Sequence, residues 1–300
     1  MIFRGIGTSS ITIRVPERVR LFLNYSIPGF WKRTKQVFFD CYTYGLLKPY
    51  FQYRLGSRGY SLRYLFVLAP MRSGSSLLVH LLNSNPEIEG YGESHVSYKS
   101  HQDLEKLLYR TVVIQKSFDF KNAYYVMDKV VRNHDFSNNI LLDEDVKFIF
   151  LLRDPAASFR SAAKLGQTHS ELSQHQKFNN WFKYYQSRLG FLQNLAVRIN
   201  DPKRCLLVHY EDLLNRTDSS LQELQLFLST STAFSEKYKI SQNTGRFRYG
   251  DPSDTLKQGK ILRQTGVVSE KAVFKLEEKT QAYKAYQDCV DRLKEYAQTV

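Results

Sequence analysis

The chain has 300 residues, 42% of them apolar, and a formal net charge of +14. That length and apolar share suit one α/β domain with an appendage, and the charge suits a polyanionic ligand, an anionic polymer or an anionic membrane surface without choosing among them. Three scattered cysteines, Cys41, Cys205 and Cys289, give no CxxC and no metal spacing and fit a reducing compartment.

Residues 1–59 are basic and aromatic, with ten Lys and Arg against only Glu17 and Asp40. Trp31, Phe38, Phe39, Tyr42, Tyr50 and Phe51 lie among the cations. The stretch reads either as a helical extension packed on the main domain or as a surface for a membrane or an anionic acceptor. It has no signal-peptide apolar core. Nowhere does an apolar run of about 18 residues occur, so no spanning helix is expected.

Leu65-Phe66-Val67-Leu68-Ala69 reads as a buried strand that Pro70 ends. The small polar stretch Met71-Arg72-Ser73-Gly74-Ser75-Ser76 follows. Leu77, Leu78, Leu81 and Leu82 then recur at helical spacing, and Asn83-Ser84-Asn85-Pro86 stops the helix. Strand, small-residue loop and helix make the shape of a phosphate cradle, because the first N–H groups of the helix point into the loop and its dipole favours an anion. Gly74 permits close approach, the three serine hydroxyls add donors, and Arg72 adds a charged fork. The other reading is a polar turn that binds nothing. The loop is not a Walker A motif, since no lysine follows its glycine.

Ile88 to Glu93 is a glycine-punctuated segment ending in a carboxylate. His101–Ile114 reads as an amphipathic helix. Ala123–Met127 is a second apolar strand with Asp128 and Lys129 at its end. Lys147–Leu152 is a third, closed by Arg153-Asp154-Pro155 and followed by a helix over Ala156–Lys164. Phe178 to Ile199 is one long helix, Cys205–His209 a fourth strand, and Tyr210-Glu211-Asp212-Leu213 its sequel. Leu221, Leu224, Phe227 and Leu228 mark another helix. Gln242–Gly266 reads as a long basic loop carrying Arg246, Arg248, Lys257, Lys260 and Arg263. Tyr283, Tyr286, Val290 and Leu293 stripe the last helix.

Buried strands alternating with helices predict a P-loop-like α/β fold, a mainly parallel sheet flanked by helices on both faces. Residues 1–60 form the extension and 61–300 the main domain. Ligands of such sheets bind at the carboxyl ends of the strands. Arg72, Lys129, Arg153 and Tyr210 all fall there and can converge on one edge. Arg153 and Ser161 are eight apart, a strand end and a position two turns into the next helix. They hold a second phosphate, or else Arg153 pairs with Asp154 or Glu211 and Ser161 merely packs.

Arg72-Ser73-Gly74-Ser75-Ser76 and FIFLLRDPAASFRS together resemble the sulfotransferases that use 3′-phosphoadenylyl sulfate (PAPS). In that family a strand and a [K/R]-S-G-[S/T]-[S/T] loop hold the 5′-phosphosulfate. A second strand, Arg-Asp and a serine eight after the arginine hold the 3′-phosphate. The likeness runs from about Leu65 to Arg263. The spacing is most similar to that of the tyrosylprotein sulfotransferases and related bacterial enzymes, which place a Gly-Glu pair after the cradle, here Gly92-Glu93. Their strand-end lysine matches Lys129, their nucleotide-contacting tyrosine Tyr210, and their loop lysine Lys260. Glycine replaces their loop serine before that lysine, and Leu165 replaces a basic residue. Their paired cysteines and secretory anchor have no counterpart.

The resemblance implies transfer of a sulfuryl group from PAPS to a hydroxyl acceptor, leaving PAP, with no metal. The departures favour a carbohydrate, lipid or small-molecule acceptor over peptide tyrosine and count against Golgi residence, so a cytoplasmic enzyme is expected, with the N-terminal region as the place for any peripheral membrane contact. No nucleic-acid partner is expected. Glu93 is the expected base, with His95 its rival because the family's cytosolic branch uses histidine. Arg72 and Lys129 would stabilise charge. Ser73, Gly74, Ser75, Ser76, Arg153, Ser161, Tyr210 and Lys260 would hold the nucleotide. Two other classes compete: a P-loop phosphotransferase using ATP and magnesium, and a non-catalytic basic module for nucleic acid or anionic membrane.

Overall fold

The computed structural model describes residues 48–56, 60–115, 118–166, 173–240, 256–263 and 275–300. Most of the 1–60 stretch and most of the basic loop over 242–266 therefore lie outside the described residues. The first described element is helix α1, Lys48–Gly56. Strand β1, Arg63–Leu68, leads into α2, Ser75–Asn83. Then come β2, Ile88–Gly90; α3, His101–Ile114; β3, Tyr125–Val130; and the short α4, Asn138–Leu141. Strand β4, Val146–Leu152, runs into α5, Pro155–Gly166, and α6, Gln174–Ile199. Strand β5, Cys205–His209, is followed by α7, Tyr210–Asn215, and α8, Thr217–Leu228. Helix α9, Leu276–Tyr296, and β6, Gln298–Thr299, complete the described chain.

The six strands form one sheet in the order β2-β3-β1-β4-β5-β6. Every pairing is parallel. Successive strand residues point to opposite faces, and each face has its own core. Phe66, Leu68, Val126, Phe148, Phe150 and Leu207 pack with α3, α6 and α9 on one side. Leu65, Val67, Met127, Ile149, Leu151 and Leu206 pack with α2 and α8 on the other. Strand segments buried on both faces must be apolar, which is why residues 65–68 of β1 and 148–152 of β4 read as unbroken apolar runs.

Helix α2 leaves β1 onto the second face, whereas Phe159 of α5 joins the first face's core. The chain thus departs from two neighbouring strands to opposite sides. Between the carboxyl ends of β1 and β4 this opens the kind of crevice where such sheets take ligands.

The structure differs from the sequence reading at β3, which runs through Asp128 and Lys129 to Val130. Both charged residues are buried inside the strand, 1% and 4% exposed. Their charges are met by partners from the loop after β2, so the strand need not end at them. β2 and β6 have three and two residues, too few to show a period. Among the described residues no helix is long and apolar enough to cross a membrane.

Candidate active site

Beyond β1 the chain turns sharply. The Pro70 carbonyl accepts the Ser73 hydroxyl at 2.8 Å. Arg72 and Gly74 both take positive φ, 68° and 88°. A side chain in that region is strained, and glycine escapes the strain. Gly74 also has no room for one, because a Cβ there would lie 2.1 Å from Cδ2 of Tyr210. The tyrosine ring, carried on the first residue of α7, rests directly on the cradle glycine. Ser75 is buried in the first turn of α2 and Ser76 half-buried beside it. Ser73 is fully buried with its hydroxyl given to Pro70, so its part is to shape the turn.

Arg153 packs on the same Tyr210 ring, its guanidinium carbon 4.4 Å from the ring centroid. Arg153 Nη1 donates to the Arg72 carbonyl at 3.2 Å. Arg72 Nε in turn donates to Ser161 Oγ at 2.9 Å. The ends of β1, β4 and β5 are therefore knitted together at one rim. Asp154 is engaged elsewhere: its N–H donates to Glu211 at 3.1 Å, and its carboxylate accepts the Ala157 N–H at 2.7 Å and the Tyr283 hydroxyl. Burial pushes the Glu211 carboxyl up, and the nearby Arg153 charge pulls against that. Arg153 Nε is buried with no hydrogen-bond partner among the described residues.

Strand β3 delivers the third cation. Alternation sends Lys129 to the α2 side, where Nζ lies 2.8 Å from Glu93 Oε1 and 3.4 Å from Ser76 Oγ. His95 Nε2 lies 3.6 Å from the other Glu93 oxygen. Lys129 N donates to the Gly92 carbonyl at 3.0 Å, so the loop bearing Glu93 lies along the strand end. Asp128 points to the opposite face and anchors the same loop. It accepts the Ser94 N–H at 2.9 Å, the Ser94 hydroxyl at 2.6 Å and the Tyr98 hydroxyl at 2.7 Å. Burial is the main reason its carboxyl is raised to about 6.

Arg72, Ser76, Glu93, Lys129, Arg153, Ser161 and Tyr210 thus form one connected group around the Gly74 cradle. Lys260 is exposed, in a segment bridged to Lys237, and among the described residues the structure does not join it to that group. The Asp128–Ser94–Tyr98 anchor escaped sequence reasoning. An acid in the middle of the apolar stretch YVMDKVV was its signal, since a buried carboxylate needs fixed partners. Arg188 escaped too, although it falls on the apolar stripe of α6 with Tyr185, Leu189 and Leu192.

The arrangement gathers three cations and a helix N-terminus at one rim of the sheet, with one carboxylate beside them. It suits an anionic ligand with two charged ends and a proton acceptor beside it. Among the described residues no cluster of His, Cys, Asp and Glu has a metal-holding arrangement.

Residues 62–284 match the family described as the sulfotransferase domain. A solved sulfotransferase domain from the curacin biosynthetic pathway is similar at a TM-score of 0.51 and 16% identity, covering 75% of this chain and 98% of its own. At that identity the likeness shows the fold. A sulfotransferase from Alicyclobacillus acidocaldarius has a TM-score of 0.44 and 12% identity, with 78% and 95% covered. A mouse sulfotransferase complexed with PAP has a TM-score of 0.48 and 13% identity, with 81% and 92% covered. No curated protein matches the chain.

Proposed function

Because the chain belongs to the sulfotransferase domain family, we propose that it moves a sulfuryl group from PAPS to the hydroxyl of a carbohydrate, lipid or small-molecule acceptor. The observation that carries the reading is the Tyr210 ring in contact with both Gly74 and Arg153. It joins a phosphate cradle on β1 to a second cationic position on β4, and a nucleotide with phosphates at both ends of its ribose needs two such positions. The residues fit that co-substrate. Arg153 Nε, buried and without a hydrogen-bond partner among the described residues, is a donor waiting for an acceptor.

PAPS supplies an activated sulfuryl group and a stable leaving nucleotide. The cradle N–H groups and Arg72 hold the 5′ end, while Arg153 and Ser161 hold the 3′-phosphate. Glu93 takes the proton of the attacking hydroxyl onto a carboxylate oxygen. Lys129, between Glu93 and Ser76, sets positive charge where the leaving bridge oxygen gains negative charge. When its ammonium turns to the donor, Glu93 loses its counter-ion and is freed to accept the proton. The bond between sulfur and the bridge oxygen breaks as the bond to the acceptor oxygen forms, so PAP leaves with the electron pair. The glycine before Lys260 and Leu165 in place of a basic residue weigh against peptide tyrosine as the acceptor.

Thermal unfolding with PAP or ATP, together with transfer of labelled sulfate from PAPS into a cell extract, tests the reading. PAP should raise Tm where ATP does not, and a labelled product should appear for identification by mass spectrometry. Arg153→Ala should weaken PAP binding by about tenfold or more, the scale of one lost charge-assisted contact. An unchanged PAP dissociation constant in that variant removes Arg153 from the nucleotide site. Stabilisation by ATP with magnesium, and none by PAP, overturns the whole proposal.

A further inference from the structure

We propose that Tyr184 and Arg188, one turn apart on α6, are positioning residues that fix the two catalytic cations relative to each other. The inference rests on the reading of Arg72 and Lys129 as those cations.

Arg188 is fully buried, and among the described residues no carboxylate pairs with it in a salt bridge. Its guanidinium is spent on backbone instead. Nη2 donates to the Val130 carbonyl at 2.5 Å, Nη1 to the Arg132 carbonyl at 2.7 Å, and Nε to the Ala69 carbonyl at 3.2 Å. Nη1 also reaches Asn133 Oδ1 at 3.1 Å. Tyr184 repeats the pattern one turn earlier. Its hydroxyl accepts the Met71 N–H at 2.8 Å and donates to the Val131 carbonyl at 2.8 Å.

Each side chain therefore grips both strand ends at once. Ala69 and Met71 belong to the exit of β1, and Val130, Val131 and Arg132 to the exit of β3. The cations sit immediately beside those grips. Arg72 follows Met71, and Lys129 precedes Val130. Arg72 is also held at a φ of 68°, which an unsupported arginine would leave. A stability role alone would be filled by an apolar residue on this buried helix face. A buried cation whose donors all point at the two catalytic loops is better explained by placement, since catalysis falls steeply when charges are displaced by about 1 Å.

The test compares Tyr184→Phe, which removes one oxygen, and Arg188→Lys, which keeps the charge but loses the fork. Initial rates of labelled sulfate transfer from PAPS into a cell extract are normalised to sites that bind PAP. Tyr184→Phe should lower kcat by about tenfold or more while KM for PAPS changes less than about threefold. Tyr185→Phe, on the neighbouring buried face, should keep the wild-type rate. Arg72→Ala and Lys129→Ala are measured alongside. If both lose kcat while Tyr184→Phe keeps it, the clamp is refuted and the catalytic reading stands. If both keep kcat, the cation assignment fails and the clamp with it. A Tyr184→Phe deficit that disappears on normalisation is a folding effect and also refutes the clamp. Should Arg188→Lys fail to fold, Tyr184→Phe alone decides.

Discussion

Gly74→Ala is the sharpest perturbation of the cradle, because two independent costs meet at one methyl group. The backbone there has a φ of 88°, and holding an L residue in that region costs about 1–2 kcal/mol. The new Cβ would also lie 2.1 Å from Cδ2 and 2.3 Å from Cε2 of Tyr210. The ring must give way, and its stack with Arg153, worth about 1 kcal/mol, goes with it. The total is about 2–3 kcal/mol, which for a domain of this size lowers Tm by about 5–10 °C. The share that moves Arg153 should weaken PAP binding about fivefold to tenfold. Differential scanning fluorimetry and PAP titration calorimetry measure the two effects. A double-mutant cycle with Tyr210→Ala separates them, since without the ring only the backbone cost remains and a coupling of about 1 kcal/mol should appear. An identical cost of Gly74→Ala in both backgrounds refutes the ring contact. Wild-type Tm and wild-type PAP affinity refute the cradle geometry as a whole.

Glu93→Gln should keep PAP binding and lose turnover by about a hundredfold or more, and turnover at the wild-type rate would move the base to His95. The same variant leaves Lys129, 4% exposed, without its counter-ion. The ligand-free protein should therefore lose about 3 kcal/mol, while saturating PAP should add the same increment of stability to the variant as to the wild type. Asp128→Asn tests the loop anchor through pH. Burial raises the Asp128 carboxyl to about 6, above the ordinary aspartate range, so the folded state holds the proton more tightly than the unfolded chain. Its stabilising contribution is complete below about pH 4 and is lost as pH rises through about 6. Denaturant midpoints should therefore show the wild type losing stability from pH 4 to 7 relative to Asp128→Asn. A difference constant across that range refutes the buried-acid assignment.

Legibility in the sequence followed the range of the interaction. The core strands were readable because burial on both faces demands unbroken apolar runs. The amphipathic period of α3 gives its observed bounds, His101–Ile114. Both signals lie within a few residues of one another. The anchor around Asp128 was not readable, because its partners Ser94 and Tyr98 are 34 and 30 residues away. A charged pair in a strand then looks like the strand's end. Arg188 was hidden for the same reason, since its acceptors are backbone carbonyls more than fifty residues distant.

The site itself falls between these cases. A parallel sheet puts every strand's carboxyl end on one rim, so convergence of Arg72, Lys129, Arg153 and Tyr210 follows from fold class alone. Which of them touch depends on strand order, and order has no local signal. Here β1 lies between β3 and β4. Lys129 therefore reaches α2 from one side of the cradle and Arg153 reaches the Arg72 carbonyl from the other. Tyr210, from β5 one strand further out, must lean across β4 to cover Gly74, and Arg153 packs on its ring. The same motifs on a sheet that separated β1 from β4 would keep their spacing in sequence and lose this contact. Motif spacing alone therefore does not fix this contact, and the two proposed phosphate positions depend on strand order as much as on the residues.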